Sequence, residues 1–368
     1  MGVSLGKHEK DKIGFRELFA IVFITLGTKS ADMTTVFLFR DGLSAAWMIL
    51  LGSFILIIPS LLLLNHVMKK FQNKHLLEVA QLTLGKPVTF IIAFIMLCSI
   101  LINIASDSRS YMAQLSTMNF PNTSLFLIYL CFLLICMWGA KRGWEAMTSA
   151  AWMVFPYLIV SVGLLFFLMM KESVFARIFP LFGPGEWEIV KGSFKYTSLF
   201  PEPFLLTMMY PFVKNHQTYT RGLYSSLFFT VTVMVLMYLS YLWMFDYNSI
   251  LYMTYPFNDA IRFITLGKAI TNIETFFITV WLIAVFVKFT IYIYFACKIF
   301  GFLFQIQEFE HAVIPITILI LMIGTIPENN EINVFLIRNQ SFVYYKYLLL
   351  SLPVLLWGVA KMKEVWAK

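Results

Sequence analysis

The sequence predicts an all-α polytopic membrane protein: ten transmembrane helices in a 5+5 inverted repeat, with the first span of each half broken. Three observations carry that expectation. The 368 residues are 60% hydrophobic and only 13% charged, against roughly 45–50% and about 25% in soluble domains. Two of the apolar stretches hold groups that a continuous lipid-facing helix does not tolerate. One tetrapeptide, Thr83-Leu84-Gly85-Lys86, returns as Thr265-Leu266-Gly267-Lys268 at the same place in each half. Strand-period alternation is absent, which excludes an outer-membrane barrel. No soluble domain fits between the apolar runs, so 1–368 reads as one transmembrane domain with 15–170 and 196–360 as its repeats.

Residues 1–14 are polar and carry Lys7, Lys10 and Lys12. No cleavable signal is visible, because the first apolar stretch is longer than a signal core. Span 1 covers 15–39, and its centre, from Thr25 to Asp32, is small, polar and charged. Stopping the helix at Gly27 would leave about 13 residues, short of the ~20 a bilayer needs. An interrupted helix is therefore expected. Span 2 (43–64) ends in a loop with Lys69, Lys70 and Lys74. From His75 to Leu84 apolar residues recur at helical spacing, which predicts a short amphipathic helix in the membrane interface. Span 3 is 87–115; its Asp107 and Arg109 read as solvated at the outer end. Spans 4 (123–138) and 5 (144–170) flank Lys141-Arg142. Residues 171–195 are turn-rich in Pro and Gly, with Glu186-Trp187-Glu188 starting a lead-in helix. Span 6, 196–215, reads YTSLFPEPFLLTMMYPFVKN. Span 7 (219–245) precedes a second short amphipathic helix at 257–266. Span 8 (270–304) is long enough to tilt and carries Lys288 near its middle. Span 9 (312–326), an outer loop (327–338) and span 10 (344–360) complete the chain.

Ten crossings put both termini on one side. Sixteen of the 28 Lys and Arg then share that side, ten lie opposite, and Lys29 and Lys288 fall within spans. The excess marks the terminal side as cytoplasmic. The net charge of +8 is this bias and not a nucleic-acid surface. Cys98, Cys131, Cys136 and Cys297 lie in apolar segments as small hydrophobes, with no metal partner set. The five histidines are scattered near span ends. No Ser–His–Asp arrangement or glycine-rich phosphate loop stands out. No enzyme, cofactor or metal is expected.

The two breaks define the candidate site. Pro203 has no N–H to bond Leu199, and Pro201 adds a second defect. Glu202 between them costs roughly 2.5–3.5 kcal/mol to place in a bilayer. Broken backbone at that depth must line a cavity or be buried in protein, and in inverted-repeat transporters such helix ends hold the ligand. A break at Gly27-Thr28 exposes N–H groups suited to a carboxylate. Leu199, Phe200 and Glu202 offer carbonyls and an acid to an amine or hydroxyl. Lys29 can pair with Asp32 three residues on. Asn103 on span 3 and Lys288, Thr290 and Tyr294 on span 8 close the pocket sideways. Lys288 needs an acid, for which Glu202 and Asp32 are available. Thr290 and Tyr294 share a face at i, i+4, where packing between helices explains them as well as ligand contact does. The ligand expected is a small polar molecule.

In span 8, Glu274-x-Phe276-x-x-x-Val280-Trp281 resembles the E-x-F-x-x-x-V-W segment of the spore germination permease family. These are the B subunits of nutrient germinant receptors, within the amino acid–polyamine–organocation superfamily. Pro180…Gly183, Tyr255-Pro256 and Ile326-Pro327-Glu328-Asn329-Asn330 are similar too. The length and span number also agree, so the resemblance covers the whole chain. It implies a LeuT-like multi-pass sensor in the inner (cell or spore) membrane, assembled with an A subunit and a lipoprotein C subunit. Such a protein binds an amino acid, sugar or nucleoside germinant and helps trigger germination. A proton- or sodium-coupled amino acid permease is the alternative on the same fold. Leu26-Gly27-Thr28 fits the family's first break, whereas Phe39-Arg40 lacks the usual proline before arginine. Pro201-Glu202-Pro203 keeps the family's acid without its glycine, and Lys29 and Lys288 stand where neutral residues are usual.

Overall fold

A computed structural model describes residues 12–264, 273–330 and 332–363, with backbone alone at 335, 336 and 342. The described chain is helical apart from one parallel bridge between Ile13 and Val213. In chain order the helices are α1 (Phe15–Gly27), α2 (Thr34–Gly42), α3 (Ala46–Lys70), α4 (Leu76–Leu84), α5 (Lys86–Asn119), α6 (Leu125–Ala140), α7 (Gly143–Lys171), α8 (Glu186–Lys195), α9 (Glu202–Leu206), α10 (His216–Phe245), α11 (Tyr247–Tyr252), α12 (Pro256–Phe263), α13 (Ile273–Phe304), α14 (Val313–Thr325) and α15 (Asn339–Met362). Among the described residues, six helical stretches are long and apolar enough to cross a membrane: α2–α3, α5, α7, α10, α13, and α15 with the turn before it. Helix α6 and the stretch containing α14 are apolar but shorter. The chain is a multi-pass membrane protein.

Both expected interruptions are present, and each has a local cause. The first segment leaves α1 through a 3₁₀ turn, Thr28–Ala31, and becomes extended at Asp32 (φ −110°, ψ −175°) before α2 begins. Asp32 then accepts a hydrogen bond from Thr34 N–H at 2.6 Å. A short acidic side chain competes with helix geometry in this way and restarts the helix beyond itself. The second segment runs through α8 and the turn Tyr196–Leu199, then bends at Phe200 (φ −112°, ψ 53°). Pro201 and Pro203 sit at the start of α9, where a missing N–H costs nothing because the first turn has no intrahelical partner to offer.

The structure corrects three readings of connecting segments. The helix at Glu186–Lys195 is not a separate lead-in element. It continues directly into the Tyr196–Leu199 turn, so the broken segment begins about ten residues earlier than the apolar run suggests. Small residues explain how closely it packs against α3. A Cβ added at Gly192 would come within 2.6 Å of Ile49 Cδ1, and one at Gly52 within 2.2 Å of Ser193 Oγ. Close backbone approach through such residues is how helices associate without a hydrophobic drive. Helix α4 buries Leu76, Leu77, Val79, Ala80 and Thr83 in protein. Residues 332–338 are not a loop but a π-helical turn leading into α15. The second copy of the tetrapeptide, Thr265–Lys268, lies outside the described residues.

Candidate ligand-binding site

The two breaks face each other. Pro203 leaves the Leu199 carbonyl without its helical donor, and Lys29 Nζ donates to that carbonyl at 2.6 Å. The same ammonium lies 2.6 Å from Glu202 Oε1. Tyr292, on α13, donates its hydroxyl hydrogen to Glu202 Oε1 as well. Lys29 is therefore tied across the breaks to Glu202, 173 positions along the chain, and not to Asp32 as its spacing suggests. Asp32 points elsewhere because its carboxylate already accepts from the N–H of Thr34, the first residue of α2. Its Oδ2 accepts from Arg338 Nη2 at 2.6 Å and from the Tyr111 hydroxyl at 2.9 Å.

Lys288 takes neither of the acids expected for it. Its Nζ donates to the Tyr111 hydroxyl at 2.9 Å and lies 3.9 Å from Asp107 Oδ2. It also stands over the Tyr111 ring, 4.6 Å from the centroid. Tyr111 stacks on Trp281 at 5.3 Å, which holds the hydroxyl between Lys288 and Asp32. Asp107 Oδ1 lies 2.8 Å from Arg338 Nε. Asp107 and Arg109 are thus buried, not solvated; Arg109 donates to the Gly324 carbonyl at 2.5 Å.

Six charged groups therefore sit in the protein interior, none more than 7% exposed: Lys29, Lys288 and Arg338 against Asp32, Asp107 and Glu202. Three cations balance three carboxylates. Burying an ion costs several kcal/mol, offset only when it is paired and hydrogen-bonded. Here every carboxylate meets a cation, Asp32 and Glu202 accept from a further donor, and Asp107 lies near a second cation, Lys288. Three polar atoms of this network stay without a hydrogen-bond partner among the described residues: Glu202 Oε2, Arg338 Nε and Arg338 Nη1.

Beside this network lies a cavity of about 60 Å³. Lys29, Asn103, Asp107, Ser198, Tyr292 and Arg338 supply its polar wall; Leu199, Phe204, Leu348 and Leu352 belong to its apolar wall. Lys29, Asn103 and Leu199 from the sequence-derived set line it. Glu202 stands behind Lys29. Lys288 belongs to the charge network beside the cavity, and the others lie elsewhere. Gly27 and Thr28 line a separate, smaller cavity toward α7 and α10, and the Thr28 hydroxyl donates to Ile24 O at 2.9 Å. Of the N–H groups expected at that break, that of Thr34 is served by Asp32. Phe200 packs its ring against Phe54, 5.7 Å between centroids. Thr290 abuts Gly139 on α6, where an added Cβ would come within 3.0 Å of Thr290 Cγ2. Tyr294 stacks on Trp144 at 6.0 Å. The face of α13 turned to the site is instead Lys288 and Tyr292, also i, i+4.

Four residues of the network escaped the sequence reading: Tyr111, Tyr292, Arg338 and, as a buried group, Asp107. A signal existed for α5, where Asn103, Asp107, Tyr111 and Gln114 recur on one helical face. None existed for Arg338. Gly27→Ala tests the revised geometry. A Cβ there meets Thr230 Cγ2 at an ordinary 3.6 Å. Protein level and ligand dose dependence are expected to stay within about 0.5 kcal/mol of wild type. Ligand binding displaced tenfold would return Gly27 to the binding site.

Two solved structures are similar over most of their length. MhsT in complex with L-phenylalanine superposes with TM-score 0.66 at 13% identity, covering 94% of this chain and 88% of that one. Mhp1, a nucleobase-cation-symport-1 family transporter in a closed conformation with bromovinylhydantoin bound, gives TM-score 0.66 at 12% identity, covering 88% and 74%. The fold is that of a membrane transporter. Residues 13–332 match the family described as spore germination protein, and the chain belongs to that family. The germination protein GerQB of Bacillus cereus is 24% identical over 302 residues, 79% of this chain and 80% of that protein. The chain is thus a transporter-like germination protein.

Proposed function

We propose that this protein is the B subunit of a germinant receptor, and that it binds a small nutrient in the cavity between its two broken segments. The observation that carries the reading is the Lys29 bridge: one ammonium holds both the Leu199 carbonyl and Glu202 at 2.6 Å, at the cavity wall. An ionic link across two discontinuous segments is a joint that a polar ligand can break or reinforce. Among amino acid, sugar and nucleoside germinants the wall favours an amino acid. Lys29 and Arg338 suit its carboxylate, Asp107 suits its amine, and the leucines of α15 suit an apolar side chain.

The resemblance supplies the rest of the proposal. The segments form ten spans in two inverted five-span halves, the termini are cytoplasmic, and A and C subunits join it in the inner (cell or spore) membrane. The chain places 16 of its 28 basic residues on the proposed cytoplasmic side, in keeping with that orientation. A proton- or sodium-coupled amino acid permease is the second reading; the cation symport named for Mhp1 and the L-phenylalanine bound to MhsT are in keeping with it.

Reconstitution separates the two. The purified protein in proteoliposomes, offered radiolabelled amino acids with and without proton and sodium gradients, is expected to bind one class saturably without concentrating it. Gradient-driven accumulation would establish the permease reading instead. Absence of binding to any amino acid, with restored binding of a sugar or nucleoside, would overturn the ligand class.

A further inference from the structure

A second pocket, separate from the site above, opens where α5 begins and α13 ends; its volume is about 880 Å³. Lys298 lines it and is 8% exposed. This ammonium has no carboxylate within ion-pair distance among the described residues. Its neighbours are the thioether of Met209, 3.4 Å away, and the ring of Phe212, 4.4 Å to the centroid. A sulfur, an aromatic face and the more distant charge of Glu78 compensate this buried cation poorly. Glu78, across the pocket, is engaged elsewhere: its Oε2 accepts from His75 N–H at 2.8 Å. His75 Nδ1 is buried and has no hydrogen-bond partner. Burial, with Lys298 adding, pulls the His75 imidazole down to about 3, so it is neutral at physiological pH.

The surroundings say what kind of anion would reach it. Exposed Lys86 stands on the rim, with Gln305 and Gln307 nearby. Immediately beside the pocket the surface is apolar: Phe90, Ile91, Phe94, Phe304 and Ile306 are all exposed. On a membrane-spanning chain that surface meets acyl chains. A cationic recess flush with an acyl-chain surface is the geometry of headgroup capture between transmembrane helices.

We propose that this pocket binds the phosphate of an anionic phospholipid headgroup, with Lys298 as the buried counter-charge and Lys86 at the mouth. Lys298 touches Met209 and Phe212 in the 3₁₀ segment that follows α9. The bound headgroup would therefore brace the second broken segment from behind.

The test uses the full-length purified protein in detergent, with melting followed as phosphatidylglycerol, phosphatidylcholine or inorganic phosphate is added. Phosphatidylglycerol is expected to raise the midpoint by on the order of 3–5 °C, and phosphatidylcholine by much less. Lys298→Gln is expected to abolish the difference between the two lipids, whatever its own baseline. Lys86→Gln, at an exposed position that folding does not depend on, is expected to reduce it. Lys171→Gln, outside the pocket, is expected to leave it intact. Millimolar inorganic phosphate reproducing the full shift, lost in Lys298→Gln, would keep the phosphate site and name free phosphate as its source. Equal shifts with both lipids, or a full shift retained in Lys298→Gln, overturns the proposal. So does stabilisation by an acidic peptide with none from either phosphate source.

Discussion

Arg338→Met is expected to lower stability by about 3–5 kcal/mol, the cost of stranding buried charge. The magnitude follows from position. Arg338 lies 2.6 Å from Asp32 and 2.8 Å from Asp107, and donates to the Thr34 hydroxyl at 2.8 Å. Removing it leaves two buried carboxylates facing Lys288 alone. Arg338→Lys is expected to recover only part of the loss, since one ammonium cannot reproduce a fork that serves two acids. Neutralising all four groups at once, Asp32→Asn and Asp107→Asn with Arg338→Met and Lys288→Met, is expected to restore protein level, because absent charges need no partner. Membrane abundance and the melting midpoint of purified protein are the measurements. An Arg338→Met protein that accumulates and melts like wild type would remove the network as a source of stability.

The second large effect falls on the bridge between the breaks. Lys29→Met leaves Glu202 unpaired and takes the donor from the Leu199 carbonyl, which Pro203 cannot replace. A stability loss of about 3–5 kcal/mol is expected. Glu202→Gln is expected to cost less, since the amide still accepts from Tyr292. The informative variant is the double one. Lys29→Met with Glu202→Gln carries no stranded charge, so its level is expected to approach wild type. Its germinant response is nevertheless expected to need at least tenfold more ligand, about 1.4 kcal/mol, the scale of one charged hydrogen bond. Spore germination against ligand concentration, with immunoblots for level, tests both halves. A double variant with normal abundance and an unchanged dose curve would make the bridge a structural feature only.

The break in the second segment was legible because its cause is covalent. A proline has no N–H wherever the chain goes, so Leu199 had to lose a donor. The first break was legible as a region, from the run Gly27 to Asp32, but its point was misplaced by several residues. Gly27 stays helical (φ −63°), and the backbone turns extended only at Asp32, whose carboxylate offers a better bond to Thr34 N–H. The face of α13 was half legible. Lys288 was singled out, but the i, i+4 pair chosen with it was Thr290 and Tyr294 rather than Tyr292. Periodicity shows which residues share a face and not which face meets the site.

Composition and local chemistry by themselves determined that the chain crosses a membrane repeatedly, that two of its segments are interrupted, and that the interruptions carry Lys29 and Glu202. Only the tertiary structure decided which charge meets which. Asp32 and Lys29 are three residues apart and do not pair, while Asp32 and Arg338 are 306 apart and do. The reason is physical. In water a short-range pair gains by proximity in sequence; inside a membrane protein each ion must find whatever partner offsets its desolvation. That partner is set by which helices cross at that depth. Taken along the chain, Asp107 reads as solvated and Arg338 as the end of an outer loop; both become interior groups only once α5, α15 and the first broken segment close around them.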